Sequence, residues 1–172
     1  MLSIGIIWNC ANFLKEDILK DVSQVTHLLD YFELDLGNKY IEFVNDIYSS
    51  ENMETWKIEK KVSHMETNPN TKITILFFEF NEKDVAYHPF KNKNIFVQLE
   101  NCKMHIREKY KDIVQNYTFD IIFHTTDNLI ELRNCFDVIV SYLKRLNNDE
   151  LIDKKVLKLE NHKDFNKGNE NE

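Results

Sequence analysis

The order of strand-like and helix-like segments most constrains the fold of this 172-residue chain. The run KITILFFEF at 72–80 has the strongest strand pattern, because it is apolar and rich in β-branched and aromatic residues. Weaker strand patterns lie at 3–8, 25–36 and 119–124. Apolar residues recur at helical spacing in five segments, which are 15–24, 39–48, 53–65, 94–110 and 128–146. The predicted order is therefore β-α-β-α-α-β-α-β-α, with a loop around His88-Pro89.

This order reduces to βαββαβ when the extra helices are treated as inserts, which is the split βαβ pattern of ferredoxin-like folds. We therefore predict an α+β fold with a ferredoxin-like core, in which helices cover a four-stranded antiparallel sheet. A doubly wound parallel sheet is the alternative, but it usually has a glycine-rich phosphate turn after the first strand. The turn here reads NCAN and has no glycine.

Length and composition predict one domain over residues 1–160. The polar segment NHKDFNKGNENE at 161–172 is expected to be a disordered tail. The net charge of -7 makes nucleic acid an improbable partner. No run approaches the roughly 20 apolar residues of a membrane span, and the N-terminus lacks the pattern of a signal peptide. Three cysteines far apart fit free thiols in a reducing compartment, so a cytoplasmic protein without a structural zinc site is expected.

The stretch FDIIFHTTDN at 119–128 places a histidine where a predicted strand ends and a helix begins. Asn128 and Glu131 have the spacing of a capping box, which gives part of the stretch a purely structural role. His124 remains open to two interpretations. It is either a polar residue that closes a strand, or a reactive imidazole that serves as base, acid or nucleophile.

Several cations accompany this histidine. Lys57, Lys60 and Lys61 share one helix face, and Lys103 and Arg107 are separated by four residues on the 94–110 helix. Single lysines are usually solvated. Arg107 differs because apolar neighbours surround it, so its guanidinium is expected to face a cleft, where it would suit a phosphate.

The segments HIREKY (105–110) and IIFHTTDN (121–128) resemble the late part of nucleoside diphosphate kinases. Those proteins have an Ile-Arg segment, a short gap, and Ile-Ile-His-Gly-Ser-Asp before a helix. The resemblance implies that His124 is the phosphorylated histidine, that Arg107 contacts phosphate, and that Thr126 and Asp127 match the Ser-Asp pair. It further implies a ferredoxin-like core, a nucleoside triphosphate with Mg²⁺, and a tendency to form oligomers.

The chain departs from this family at four places. Trp8-Asn9-Cys10 stands where the family has Lys-Pro-Asp, and Cys135 falls near the position of the glutamate that supports the histidine. Thr125 replaces the glycine after the histidine. The family's other arginines have no counterpart, although several lysines lie in the corresponding regions, namely Lys57, Lys60, Lys91 and Lys93.

The resulting hypothesis is a phosphotransferase that moves a terminal nucleotide phosphate through a phosphohistidine. His124 is its predicted catalytic residue, and the predicted nucleotide-binding residues are Arg107, Lys103, Lys57, Lys60, Lys91, Thr126 and Asp127. The alternative is a non-catalytic nucleotide- or phosphate-binding module, or a self-associating module, on the same fold. A metal hydrolase built on His88, His105 and His124 is a further possibility, but these residues lack ligand spacing.

Overall fold

A computed structural model describes residues 1–49, 51, 53–115, 117 and 120–166. Its strands are β1 (Leu2–Ile7), β2 (His27–Asp35), β3 (Lys72–Glu79), β4 (Val85–His88), β5 (Lys93–Phe96) and β6 (Phe123–Thr125). Its longer helices are α1 (Lys15–Val25), α2 (Tyr40–Ser49), α3 (Thr55–Glu66), α4 (Val97–Tyr110) and α5 (Leu129–Arg145). Short helices α6 (Asp149–Leu151), α7 (Leu157–Glu160) and α8 (Lys163–Asn166) follow.

Strands β2, β3, β1 and β6 form one sheet in that order, and every neighbouring pair is antiparallel. This arrangement confirms the predicted ferredoxin-like core, with α2 and α3 inserted between β2 and β3. The register places Ile6 opposite both Ile75 and His124. Among the described strands, β6 pairs with β1 and is therefore an outermost strand of the sheet. No helix of the described residues is long and apolar enough to cross a membrane.

Helices cover both faces of the sheet. On one face, Thr74 of β3 donates to Asn12 just before α1 (2.6 Å), and Tyr110 of α4 donates to Asp21 of α1 (2.7 Å). On the other face, Tyr142 of α5 donates to Asp46 of α2 (2.6 Å). Because alternate residues of a strand point to opposite faces, His124 lies on the α2–α5 face and Phe123 on the α1–α4 face.

Close packing between β1 and its neighbours depends on Gly5. A Cβ atom at this position would lie 2.9 Å from Leu76 Cγ and 2.9 Å from Phe123 Cε2, which is closer than carbon atoms approach without displacement. Glycine therefore allows the Phe123 ring to pack over β1, and this packing helps to fix β6 and the histidine that follows Phe123.

The expected loop around His88-Pro89 is partly wrong, because β4 and β5 pair there as an antiparallel hairpin. The same pairing corrects the start of the following helix. We predicted that it begins at Asn94, but Asn94 pairs with Tyr87 and α4 begins at Val97. Cross-strand pairing outweighs helix propensity here, since Asn94, Ile95 and Phe96 are already used by the hairpin.

The last strand is shorter than predicted and begins later. Asp120 has a left-handed backbone (φ 59°), which interrupts an extended segment, and Phe119 lies outside the described residues. Ile121 and Ile122 are buried, and the Ile122 carbonyl accepts a hydrogen bond from the Trp8 amide (3.1 Å).

The prediction of a disordered tail from residue 161 is wrong for its first six residues. Asp164 of α8 is fully buried and accepts a hydrogen bond from the Leu2 amide (2.7 Å). His162 Nε2 lies 2.8 Å from Glu79 Oε1, and the Phe165 ring packs on Phe136 with centroids 4.8 Å apart. These contacts outweigh the polar composition of the segment, and residues 167–172 lie outside the described part of the chain.

Candidate functional site

His124 lies in the middle of β6, packed between two aromatic rings. Its ring centroid is 5.3 Å from that of Tyr48 and 6.2 Å from that of Trp8. Only 8% of the side chain is exposed. Trp8 is fully buried. This residue therefore contributes a packing surface for the imidazole and no positive charge.

Glu51 is the acidic partner of His124. Its Oε1 atom lies 3.0 Å from His124 Nε2, although the ring N–H does not point at this oxygen well enough to form a hydrogen bond. Glu51 comes from the turn after α2, far from His124 in sequence. Reasoning from the sequence missed it, because the resemblance directs attention to Cys135. That cysteine is buried, and burial raises the pKa of its thiol.

Arg107 reaches the edge of the sheet from α4. Its Nε and Nη2 atoms donate to the Phe123 carbonyl (3.3 and 3.0 Å), and Nη1 lies 3.3 Å from Asp120 Oδ2. Burial is the largest single influence and would raise the pKa of Asp120, but Arg107, the Tyr117 hydroxyl and Lys61 together hold the pKa below its ordinary value. In this structure the Arg107 guanidinium contacts the Phe123 carbonyl and the Asp120 carboxylate. Its contact with a nucleotide stays a prediction.

Lys61 is a second cation at this edge. Its Nζ atom lies 5.2 Å from the centroid of the Tyr48 ring and 3.5 Å from the Asp120 carbonyl oxygen. Burial lowers the pKa of Lys61 to about 8, although Asp120 and Glu51 attract its charge. Of the three lysines on one helix face, Lys61 is the one that turns inward. Lys57 and Lys60 lie beside the exposed Trp56 ring instead, 5.4 and 5.6 Å from its centroid.

The groups around His124 therefore form a mixed-charge cluster, which we call the β6-edge cluster and define as Glu51, Lys61, Arg107, Asp120 and His124. Arg107 approaches from the α1–α4 layer, whereas the His124 ring points into the α2–α5 layer. The two meet through the backbone of Phe123, and neither of them lines the two cavities described below. Buried charges that perturb one another at the end of a strand are typical of functional sites, although structural ion pairs also have this property.

Three further predicted site residues form a separate ionic network. Lys103 donates to both carboxylate oxygens of Asp127 (2.7 and 2.9 Å) and lies 3.2 Å from Glu100. Lys91 contacts the other oxygen of Glu100 (2.6 Å), and Lys93 lies 3.8 Å from Asp127. These cations are therefore already balanced in large part by carboxylates.

Thr126 has a structural role in this arrangement. Its Oγ1 atom accepts from the Ile4 amide (3.0 Å), and its own amide donates to the Ile4 carbonyl (3.0 Å). The side chain thus continues the pairing of β6 with β1 beyond the end of the strand. Residues Asn128 and Glu131 confirm the predicted helix cap, because the Glu131 amide donates to Asn128 Oδ1 (2.9 Å).

Two cavities lie outside the β6-edge cluster. One, of about 260 Å³, is bounded by β5, α4 and the start of α5. The other, of about 490 Å³, is lined by residues that include Cys10, Phe13 and His64. Within the described residues, no group of three or more His, Cys, Asp or Glu side chains is arranged to hold a metal ion.

No protein-family model matches the chain, and no curated protein matches it in sequence. Among solved structures, the chain is similar to a nucleoside diphosphate kinase family protein from Babesia bovis, with a TM-score of 0.47 and 11% identity over 80% of this chain and 86% of that chain. It is also similar to the Aquifex aeolicus nucleoside diphosphate kinase, with a TM-score of 0.47 and 9% identity over 80% of this chain and 93% of that chain. The fold assignment itself rests on the strand order and pairing described above.

Proposed function

We propose that this protein is a phosphotransferase in which His124 accepts the terminal phosphoryl group of a nucleotide. The observation that carries the proposal is the approach of Glu51 Oε1 to His124 Nε2 at 3.0 Å, beside two cations. The negative charge of a carboxylate beside one imidazole nitrogen favours a proton on that nitrogen, even without an aligned hydrogen bond, and so leaves the lone pair on the other nitrogen. The resemblance of residues 105–110 and 121–128 to nucleoside diphosphate kinases supports the same reaction.

In the proposed reaction, Nδ1 of His124 attacks the terminal phosphorus, because Nε2 is buried against Glu51. A bond forms between Nδ1 and phosphorus, the bond to the bridging oxygen breaks, and the nucleoside diphosphate leaves. A second nucleoside diphosphate then takes the phosphoryl group by the reverse displacement. Arg107 and Lys61 would offset the negative charge on the phosphoryl oxygens during both steps.

The edge of the sheet at β6 is the place where this reaction could occur. An anion there would contact Arg107 from one helix layer and Lys61 from the other, since both already reach Asp120 at this edge. Asp120 now makes the contacts with Arg107 and Lys61 that such an anion would need. Replacing it with Asn is therefore expected to strengthen phosphate binding, because the competing charge is removed and Asn tolerates the left-handed backbone.

The residues do not fit a magnesium site made by the protein. Asp120 and Asp127 each contact a cation, and no described cluster offers three metal ligands. Mg²⁺ usually binds through substrate phosphates with few protein ligands. A magnesium ion would accordingly enter with the nucleotide, and no step above is assigned to it.

A phosphate-binding protein without turnover is the second candidate. It is favoured by the 8% exposure of the His124 side chain and by the engagement of Arg107 with Phe123 and Asp120. In that case a nucleotide would bind at the β6 edge, and the histidine would remain a packing residue.

Incubation with γ-labelled ATP separates the two candidates. The first predicts acid-labile label on the wild-type protein and none on His124→Gln, while His105→Gln, which changes an exposed histidine, keeps the label. Glu51→Gln should slow labelling and leave ATP binding in place. Equal label on wild type and His124→Gln would refute phosphoryl transfer through this residue.

Calorimetry with ATP tests the second candidate. Binding that is lost in Arg107→Gln, strengthened in Asp120→Asn and unchanged in His124→Gln, with no label on any protein, would establish binding without turnover. If ATP and inorganic phosphate bind to none of these proteins, both candidates are wrong.

A further inference from the structure

The cavity of about 260 Å³ beside the lysine–carboxylate network has chemistry that the proposed reaction does not use. Its wall on one side is apolar and consists of Ile95, Phe96 and Leu99. Charged side chains line the remainder, including Lys93, Lys103 and Asp127. Pockets for drug-sized ligands usually measure about 300–1,000 Å³, so this cavity suits a smaller molecule.

The charges along the cavity alternate. Contacts run from Lys91 to Glu100 (2.6 Å), from Glu100 to Lys103 (3.2 Å), from Lys103 to Asp127 (2.7 Å) and from Asp127 to Lys93 (3.8 Å). Three ammonium groups and two carboxylates make up this row, provided that both acids are ionised. Lys91 does not line the cavity itself, and Glu131 also interacts with Lys93.

Both acids are ionised at neutral pH. Burial is the largest single influence and would raise the pKa of Glu100 and of Asp127, but the lysines around each acid together hold its pKa below the ordinary value. Lys103 and Lys91 act on Glu100, and Lys103 and Lys93 act on Asp127. Lys103 sits between them with only 5% of its side chain exposed, so its charge is already shared by two close carboxylates.

Lys93 is the least tightly paired lysine of this row. Its contact with Asp127 is the longest in the network, at 3.8 Å, and 48% of its side chain is exposed. Lys91, at the other end, is held at 2.6 Å by Glu100. A ligand group placed in the cavity therefore meets one available ammonium group and an apolar wall.

From these features we propose that the cavity binds a small organic monocarboxylate, with its carboxylate at Lys93 and its apolar body against Ile95, Phe96 and Leu99. A polyphosphate is disfavoured, because Glu100 and Asp127 would repel every charge beyond the first. A cationic ligand is disfavoured because Glu100 and Asp127 are already paired with lysines. The site is separate from the reaction proposed for His124, and neither proposal depends on the other.

A titration followed by NMR of the ¹⁵N-labelled full-length protein tests this proposal, with hexanoate as the probe and neutral hexanamide as its matched control. Saturable shifts are expected for the backbone amides of Lys93–Phe96 and Asn128. Hexanamide should bind about three- to tenfold more weakly, since it forms no charged contact with Lys93. Hexyl phosphate should bind more weakly than hexanoate for the reason given above.

Two lysine variants complete the test. Lys93→Gln should weaken hexanoate binding by about three- to tenfold, whereas Lys154→Gln, which changes a lysine that is 68% exposed and does not line the cavity, should match the wild type. His124→Gln should also bind hexanoate normally, so failure here is distinguishable from failure of the proposed phosphoryl transfer. The proposal would be overturned if these amides showed no saturable shifts, or if hexanamide bound as tightly as hexanoate. It would also be overturned if hexyl phosphate bound more tightly than hexanoate, or if Lys93→Gln bound hexanoate as tightly as the wild type.

Discussion

Lys61 shows how a single residue at the β6-edge cluster differs from its neighbours on the same helix. Lys57 carries an exposed ion pair with Glu54 (3.1 Å), an arrangement that contributes little to stability. Lys61 is buried beside Tyr48 and Asp120, so its ammonium group has lost most of its hydration. One helical turn thus separates a solvated charge from one whose protonation is linked to folding.

The lowered pKa of Lys61 predicts a defined pH dependence of stability. Between about pH 8, its value in the folded protein, and 10.5, its ordinary value, the unfolded chain binds more protons than the folded chain. The free energy of unfolding contributed by this residue therefore rises with pH across that window. Relative to Lys61→Met, the wild type should gain about 2 kcal/mol from pH 7 to pH 10.

Urea denaturation of both proteins at several pH values measures this difference. Lys57→Met serves as the control, since it removes an exposed lysine from the same helix and should show the wild-type pH dependence. A constant difference between wild type and Lys61→Met from pH 7 to pH 10 would mean that Lys61 is as solvated in the protein as in the unfolded chain.

At the scale of elements, α5 is positioned by its first turn. Asn128 accepts from the Glu131 amide (2.9 Å) and donates to Glu131 Oε1 (2.8 Å), while Glu131 Oε2 accepts from the Asp127 amide (2.7 Å). This reciprocal cap follows β6 after only three residues, Thr126 to Asn128. The strand that carries His124 and helix α5 are therefore joined by a short connection in which the Thr126 and Asp127 amides are hydrogen-bonded.

Loss of this cap is expected to destabilise the protein. Asn128→Ala should lower the free energy of unfolding by about 1 kcal/mol, because the Glu131 amide loses its acceptor. Asn128→Ser, which keeps an acceptor at the cap position, should recover most of that loss. Chemical denaturation measures both variants, and an equal loss for Ala and Ser would show that the cap hydrogen bond contributes nothing.

At the scale of the whole molecule, α8, the last described helix, contacts the start of the first strand, β1. Asp164 Oδ2 accepts from the Leu2 amide (2.7 Å) and lies 3.5 Å from His162 Nδ1. Next to Leu2 in sequence, the Met1 ammonium group donates to the Phe80 carbonyl (2.8 Å). The C-terminal segment therefore completes the hydrogen bonding at the start of the central strand β1.

Removing the Asp164 carboxylate should lower the free energy of unfolding by about 2 kcal/mol, because the buried Leu2 amide would lose its hydrogen-bond acceptor. Asp164→Ala is the informative change, and Asp164→Asn is its control, since an amide oxygen can still accept from Leu2. Chemical denaturation reports the loss, and hydrogen exchange at the Leu2 amide locates it. If Ala and Asn are equally stable and Leu2 exchange is unchanged, the contact is not needed to hold β1.

The helix cap and the order of elements could be predicted because they depend on residues close together in sequence. Asn128 and Glu131 are three residues apart, and apolar spacing identified five helices to within a few residues of their ends. The β4–β5 hairpin could not be found in this way, since nothing local distinguishes Asn94 as a strand residue from Asn94 as a helix start. Glu51 was missed because it lies far from His124 in sequence, so no local pattern links the two residues.

The sequence by itself determined the class of fold, the order of its elements along the chain, and the presence of a histidine in the last strand of the core. It could not determine which charges meet, because long side chains reach partners through space. Only the tertiary structure decided that Lys61 turns inward, that Arg107 binds the Phe123 carbonyl, and that Lys103 and Asp127 bind each other away from the His124 ring. Burial and ion pairing depend on the surrounding layers, and those layers exist only after the helices have packed on both faces of the sheet.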